Sequence, residues 1–147
     1  MPLSYRGAVG FGDYALDANF IIGPAVDEAA AAHETAQAAI VWLLPRAREH
    51  VSRWLGPQPT STHLVSTDVP LKGGDTLWSY TVSPIVQASD PADSLNIVQP
   101  SLDSFTPSEA VDVEVKRQNT AAHLHACYSW RGWKTPKIVV STAAGPG

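Results

Sequence analysis

The residues best suited to chemistry lie where a glycine opens an alanine-rich helix. Phe20 to Ile22 form an apolar strand pattern, Gly23 and Pro24 follow, and small residues then recur at helical spacing. Pro24 suits the first helical turn, where an N–H is not needed, and Gly23 permits a tight backbone before it. A helix that starts directly after a strand turns backbone N–H groups towards an anion such as phosphate. Asp27, in the first turn, suits the positive end of the helix dipole.

A second group of reactive side chains lies near the C-terminus, at His123, His125 and Cys127. The two histidines are two residues apart, so on a helix they point to different faces and make a poor metal-ligand pair. A solvated or partly buried histidine pair is the preferred interpretation. Cys127 is interpreted as a small buried thiol in preference to a nucleophile.

The motif around Gly23 resembles the middle of a class III nucleotidyl cyclase domain of the bacterial branch. RGAVGFGDY (6–14) and FIIGPAVDEAA (20–30) carry this resemblance, and weaker segments follow in the same order as in the family. These are AIVWLLP (39–45), DVPLKGG (68–74), SYTVSPI (79–85) and KRQNTAAHL (116–124). The resemblance implies a ferredoxin-like core with extra strands, of which this chain supplies the second half.

The resemblance also implies a site that uses Mg or Mn and binds a nucleoside triphosphate. Cyclases join the 3′ hydroxyl to the α-phosphate and expel pyrophosphate, and two divalent metal ions held by carboxylates neutralise the phosphate charge in that step. The family's metal-binding strands have no counterpart here, so no metal ligand and no catalytic residue is assigned. Gly23 and Asp27 are the expected substrate-binding residues. Asp27 occupies the position where the family has the asparagine that orients the ribose, and Ala31 occupies the position of the arginine that stabilises the transition state. These two differences predict that the chain is inactive alone.

Length and composition agree with one domain, residues 1–147, in the cytoplasm. Of the 147 residues, 44% are apolar and 16% charged, an ordinary globular balance. The formal net charge of −4 argues against a general nucleic-acid or anionic-membrane surface. The single cysteine excludes an internal disulfide and favours a reducing compartment. Neither a signal peptide nor an apolar run of spanning length is found.

The element pattern predicts an α/β (α+β) fold, a mixed sheet with helices on one side. The predicted strands are Arg6–Tyr14, Phe20–Ile22, Ala39–Leu44, His63–Leu71 and Thr76–Ile85, with a turn at Asp17 and Asn19 and a hairpin loop over Lys72–Asp75. The predicted helices open at Pro24, span Pro45–Leu55 and run from Glu109 towards Tyr128. Alternation of Val111, Val113 and Val115 favours a strand in the last of these, but the resemblance favours a helix. Residues 87–107 are expected to be an exposed loop and residues 141–147 a loose tail.

Three functions stay open at this point. The first is the C-terminal part of a nucleotide cyclase, a phosphorus–oxygen lyase that makes a cyclic nucleotide second messenger. The second is a non-catalytic cyclase-like module that binds a partner or a nucleotide. The third is an unrelated α/β domain. An apolar, glycine-containing strand at Arg6–Tyr14 without a second neighbour predicts association, as a homodimer or with a missing N-terminal half.

Overall fold

A computed structural model describes residues 6–55, 63–103, 105 and 110–144. These residues form a four-stranded mixed sheet, a two-stranded hairpin and five helices. In chain order the elements are β1 (Gly7–Val9), β2 (Ala15–Leu16), β3 (Ile21–Ile22), α1 (Pro24–Ala32), β4 (Val41–Leu43), α2 (Pro45–Leu55), β5 (Leu64–Pro70), β6 (Thr76–Val82), α3 (Pro91–Asp103), α4 (Val111–Trp130) and α5 (Lys137–Ala144). The predicted mixture of strands and helices is confirmed.

The main sheet has the strand order β1-β4-β6-β5. β1 and β4 are parallel, with Gly7 opposite Val41, and α1 lies on the crossover between them. β5 and β6 form a regular antiparallel hairpin from the pair Leu64 and Val82 to the pair Pro70 and Thr76. Their loop is the one predicted at Lys72–Asp75, where Gly73 and Gly74 take φ values of 93° and 91°. Both need glycine, because other residues rarely adopt such angles.

The prediction of one long strand from Arg6 to Tyr14 is wrong beyond Val9. The chain leaves the sheet there, because at Gly10 its backbone passes close to the start of α1. A Cβ on Gly10 would lie 2.8 Å from the Ala25 carbonyl oxygen. Residues 15–22 then form the short hairpin of β2 and β3, closed by a hydrogen bond from the Asp17 N–H to the Phe20 carbonyl at 2.9 Å. The predicted turn at Asp17 and Asn19 is therefore present.

Helices lie on both faces of the main sheet, which corrects the prediction that they share one side. Side chains of adjacent residues in a strand point to opposite faces. Val65 packs against α3, α4 and α5, whereas its neighbour Leu64 packs against Ala47 of α2. Trp42 packs with residues of α1, and its neighbour Leu43 again packs with α2. α2 therefore covers one face alone, while α1 and α4 share the other.

Residues 91–103 form helix α3, where an exposed loop was predicted. Asp90 begins it, since its Oδ1 accepts a hydrogen bond from the Asp93 N–H at 2.7 Å. In return, Asp93 Oδ2 accepts from the Ser89 N–H at 3.0 Å. The first bond satisfies one of the N–H groups that a helix start leaves free, and the second holds the residue before the cap against the first turn. The buried face of α3 holds Val98 and Leu102, which join the core around α4.

The predicted helix through KRQNTAAHL is confirmed as α4, and its core residues include Ala121, Leu124 and Tyr128. The prediction of a loose tail over 141–147 is wrong for residues 141–144, which belong to α5, and residues 145–147 lie outside the described part. α5 is held because Val139 is fully buried against the α4 cluster.

The direct pairing of β1 with β4 bears on the ferredoxin-like arrangement that the resemblance implies. In such a core the two parallel strands of each β-α-β unit have a further strand between them. Here β4 lies next to β1 on one side and next to β6 on the other. The direct pairing of β1 with β4 therefore differs from such a unit, and the cyclase core itself stays a prediction.

Candidate functional site

Gly23, one of the two predicted substrate-binding residues, lies at a crossing of two backbone segments. Its φ is 144°, and a Cβ at this position would stand 2.6 Å from the Asp13 carbonyl oxygen and 2.7 Å from Tyr14 Cα. Only glycine fits such a close approach. The glycine is thus explained by the packing of residues 13–14 over the start of α1, whether or not an anion binds there.

Asp27, the second predicted substrate-binding residue, is exposed in the first turn of α1. The N–H groups of Val26 and Asp27 both donate to the Gly23 carbonyl, at 3.1 and 3.0 Å. Gly23 and Asp27 are therefore joined through the backbone of one helix turn. Throughout the described residues, no three His, Cys, Asp or Glu side chains gather into a group that could hold a metal ion. The expected use of Mg or Mn has no ligand set in this part of the chain.

An apolar surface on the β2–β3 hairpin is the most exposed apolar region of the described chain. Its members, called here the hairpin surface, have between 46% and 74% of their area exposed: Phe11, Tyr14, Leu16, Phe20, Ile21 and Ile22. Scattered exposed apolar residues are normal, but here six occur within twelve positions, on both faces of the hairpin, since Leu16 pairs with Ile21 and Ala15 with Ile22. The hairpin surface continues from β1, which among the described strands pairs only with β4.

The base of the hairpin is attached to α2 by one aromatic contact. Phe11 stacks on His50 with ring centroids 4.0 Å apart and planes within 15°. Further along α2, Trp54 is 83% exposed and lies between the exposed Arg53 and the helix end. Trp54 therefore lies on the outer face of α2.

A buried polar group lies on the other side of the sheet, centred on His123. Its Nε2 is 2.7 Å from Thr81 Oγ1 of β6 and 3.6 Å from the Cys127 sulfur. Burial lowers the pKa of His123 to about 4 and raises the pKa of the Cys127 thiol to about 12. His123 is thus neutral and Cys127 an unreactive thiol at neutral pH. The interpretation of Cys127 as a buried thiol is confirmed.

The two histidines of α4 differ in environment, as their spacing predicted. His123 is 6% exposed, whereas His125 is exposed and hydrogen-bonds the Thr135 hydroxyl. The expectation of a solvated or partly buried pair is wrong for His123. It is fully buried because the face of α4 that carries it packs on Thr81 and not on solvent.

A cavity of about 270 Å³ opens beside His123, between α3, α4 and one end of the main sheet. Its wall is mostly apolar and includes Ala39, Val41, Val82, Ile97, His123 and Leu124. His123 Nδ1 is buried and has no hydrogen-bond partner. Sequence reasoning missed this cavity, because α3 was taken for a loop and its wall comes from distant segments.

Comparisons with known proteins assign no family. No protein-family model, no curated protein and no solved structure matches this chain. In the described part of the chain, none of the helices combines the length and the apolar character needed to cross a membrane.

Proposed function

We propose that this chain is a cyclase-like module that works by association and makes no cyclic nucleotide on its own. The observation that carries the proposal is the hairpin surface, together with the edge of β1 that pairs with no other described strand. Apolar area of this kind next to an unpaired strand edge favours pairing with another chain. The cyclase-like part of the proposal is supported by the resemblance of RGAVGFGDY (6–14) and FIIGPAVDEAA (20–30) to the family.

The partner we propose is a second copy of this chain, in a head-to-tail contact. The hairpin carries the exposed acids Asp13 and Asp17 among its apolar side chains, and α2 carries the exposed Arg53 next to Trp54. When the hairpin of one copy lies against α2 of the next, the acids of the hairpin meet Arg53 and its apolar side chains meet Trp54. Such complementary charges orient an interface, while its buried aromatic residues contribute most of the affinity. Dimers of the resembled family are also head-to-tail, with their sites at the interface.

Two substitutions support a non-catalytic role for the chain alone. Ala31 stands where the resembled family has an arginine, and alanine cannot stabilise charge on a phosphate in the transition state. Asp27 is an exposed acid with no basic neighbour in its helix turn, and an acid repels a triphosphate.

We place the module in the cytoplasm, since its single cysteine stays a free thiol. The alternative function is turnover of a nucleoside triphosphate once a second chain completes the site.

Light scattering over a concentration series of the purified chain tests the association. We expect a concentration-dependent dimer, and we expect Leu16→Lys combined with Ile21→Lys, a cross-strand pair on one face of the hairpin, to weaken it by about tenfold or more. Val111→Lys is the matched control, because Val111 is also exposed, at 76%, but lies at the start of α4. A clean monomer at high concentration refutes the association.

Mass spectrometry of reactions with Mg or Mn and each of the four common nucleoside triphosphates tests the lack of turnover. We expect no cyclic nucleotide above a control without protein. A cyclic product that disappears in the Asp27→Ala variant would overturn the non-catalytic role and assign Asp27 to the site. The association and the turnover are measured separately, so either half of the proposal can fail alone.

A further inference from the structure

We propose that a pocket between the start of β1 and α4 binds a small aromatic carboxylate. The pocket, called here the basic pocket, has a described wall formed by Arg6, His33, Ala38, Ala39, Phe105 and Lys116. This inference is independent of the proposed function, since no residue of the hairpin surface or of α2 lines the basic pocket.

Helix α4 is attached to the floor of the basic pocket by two hydrogen bonds in series. The Ala39 N–H donates to the Thr120 hydroxyl at 2.9 Å, and that hydroxyl donates to the Lys116 carbonyl at 2.7 Å. Ala38, the neighbouring floor residue, is buried. The turn of α4 that carries Lys116 is therefore held against residues 38–39.

The start of β1 is attached to the same segment of the chain. The Gly7 N–H donates to the Ile40 carbonyl at 3.1 Å, and Gly7 pairs with Val41 in the main sheet. Arg6 precedes Gly7, so its backbone lies next to this segment. Arg6 and Lys116, which are far apart in the sequence, are thus brought to one pocket by the fold. A ligand therefore spends little binding energy on ordering them.

The charges around the basic pocket favour an anion with a single charge. Arg6 and Lys116 supply two positive charges, and Lys116 is half-buried and forms no ion pair with a described residue. Glu34 supplies one negative charge, with its Oε1 3.5 Å from the Arg6 guanidinium and 3.7 Å from His33 Nε2. With histidine counted as neutral, one positive charge is left over. A single carboxylate balances this charge, and the planar fork of an arginine side chain matches its two oxygens.

Two other acids lie within about one turn of Lys116 on α4. Glu114 is bound to Arg117, with its Oε2 2.7 Å from a guanidinium nitrogen. Asp112 lines a neighbouring pocket, to which Lys72 and Lys116 also contribute. Neither acid lines the basic pocket, so neither competes with a ligand for contact there.

The apolar part of the wall indicates that the anion carries an aromatic ring. This part is formed by Phe105, Ala38 and Ala39. The basic pocket has a volume of about 340 Å³, whereas an engineered apolar cavity of roughly 150 Å³ holds one benzene ring. It therefore has room for one ring together with its carboxylate. Aromatic rings attract each other when they pack offset or edge to face, which an aliphatic acid cannot do with Phe105.

Benzoate, benzamide and acetate test the charge and the ring separately. Benzamide has the shape of benzoate without its charge, and acetate has the charge without the ring. Binding to the full chain at low, constant salt is followed by the amide chemical shifts of Ala38, Ala39 and Lys116. We expect saturable shifts with benzoate and an affinity about fivefold or more above that of either other compound.

Each alternative outcome of this titration overturns one part of the proposal. Equal affinities for benzoate and benzamide would overturn the role of the two cations. Equal affinities for benzoate and acetate would overturn the role of the ring. Shifts confined to other amides, or no saturable shift at all, would overturn the site.

Three variants complete the test. Lys116→Gln should weaken benzoate binding about threefold to fivefold and leave benzamide binding unchanged. Lys134→Gln is the matched control, because Lys134 is exposed and lies outside the basic pocket, and it should leave benzoate binding unchanged. Glu34→Gln should strengthen benzoate binding about twofold to fivefold, because it removes the negative charge beside Arg6.

The gain expected from Glu34→Gln keeps the test decisive if Lys116→Gln fails to fold, since a damaged protein would not bind more tightly. Unchanged benzoate affinity in Glu34→Gln, or in a folded Lys116→Gln, would refute the proposal.

Discussion

Acidification from pH 7 to pH 5 should destabilise the protein through His123. In the unfolded chain a histidine binds its proton near pH 6.5, whereas burial lowers the folded pKa of His123 to about 4. Between these two values the unfolded state binds more protons than the folded state, so stability falls as the pH falls. The contribution of the neutral ring is fully present above pH 6.5 and is lost as the pH drops towards 4.

The size of this effect follows from the two pKa values. One pKa unit corresponds to about 1.4 kcal/mol, so the full shift is worth about 3 kcal/mol, of which about 2 kcal/mol is lost between pH 7 and pH 5. Urea unfolding followed by tryptophan fluorescence at pH 7, 6 and 5 measures the loss. His123→Gln is the matched variant, since glutamine is neutral, similar in size and able to bond Thr81. Every other titrating group is the same in the two proteins, so the difference between their free energies of unfolding should change by about 2 kcal/mol between pH 7 and pH 5. Parallel curves for the two proteins would refute the reasoning.

Three further predictions concern packing around the same cores. Cys127 should resist alkylation at pH 8 in the folded protein and react only as fast as the chain unfolds, because burial raises the pKa of its thiol to about 12. Rapid labelling without unfolding would contradict this. Gly23→Ala should lower the free energy of unfolding in urea by about 2 kcal/mol or more. Gly73→Ala should cost less, because the φ of Gly73 is also positive but an added Cβ there meets nothing within 4 Å. Equal costs would mean that the crossing at Gly23 is not tight. Tyr128→Phe should cost about 0.5 to 1.5 kcal/mol, because it removes the hydrogen bond between the tyrosine and the Ser94 hydroxyl while Ser94 still donates to the Pro91 carbonyl. An unchanged thermal midpoint would count against this.

Local signals were enough to predict the elements whose ends are marked in the sequence. α2 begins at Pro45 and ends at Leu55 as predicted, since a proline starts it and Gly56-Pro57 follows it. The β5–β6 hairpin was predictable from its glycine loop between two β-rich runs. In both cases the decisive residues lie within a few positions of the element, so no tertiary information was needed.

α3 was missed although the sequence contains a start signal for it. Asp90, Pro91 and Asp93 occupy the N-cap, first and third positions of the helix, where acids and proline are favoured. The richness in Ser, Asp and Pro indicated a loop, and Pro100 within the segment strengthened that impression. Burial of Val98 and Leu102 against α4 outweighs the cost of the internal proline, and this packing is invisible in a local window.

The site residues show the same division between local and tertiary information. Gly23 was correctly predicted to open α1, but its reason, the close backbone at Asp13, depends on how the hairpin folds back. The cavity beside His123 was not predictable, because Val41, Ile97 and His123 are far apart in sequence. The burial of Cys127 was predicted from the sequence, whereas that of His123 follows only from its contact with Thr81 of β6.

The place of β1 at the end of the sheet has a consequence for the order in which the protein folds. β5 and β6 are joined by a short loop and can pair early, whereas Gly7 of β1 must wait for Val41 of β4 to be synthesised and for α1 to close the crossover. Loop-closure entropy delays such distant pairing. On a ribosome the hairpin surface would therefore emerge first and stay unprotected longest. Pulse-labelled hydrogen exchange should find the Thr81 amide protected before that of Gly7, which donates to the Ile40 carbonyl, and the reverse order would place the nucleus at the N-terminus.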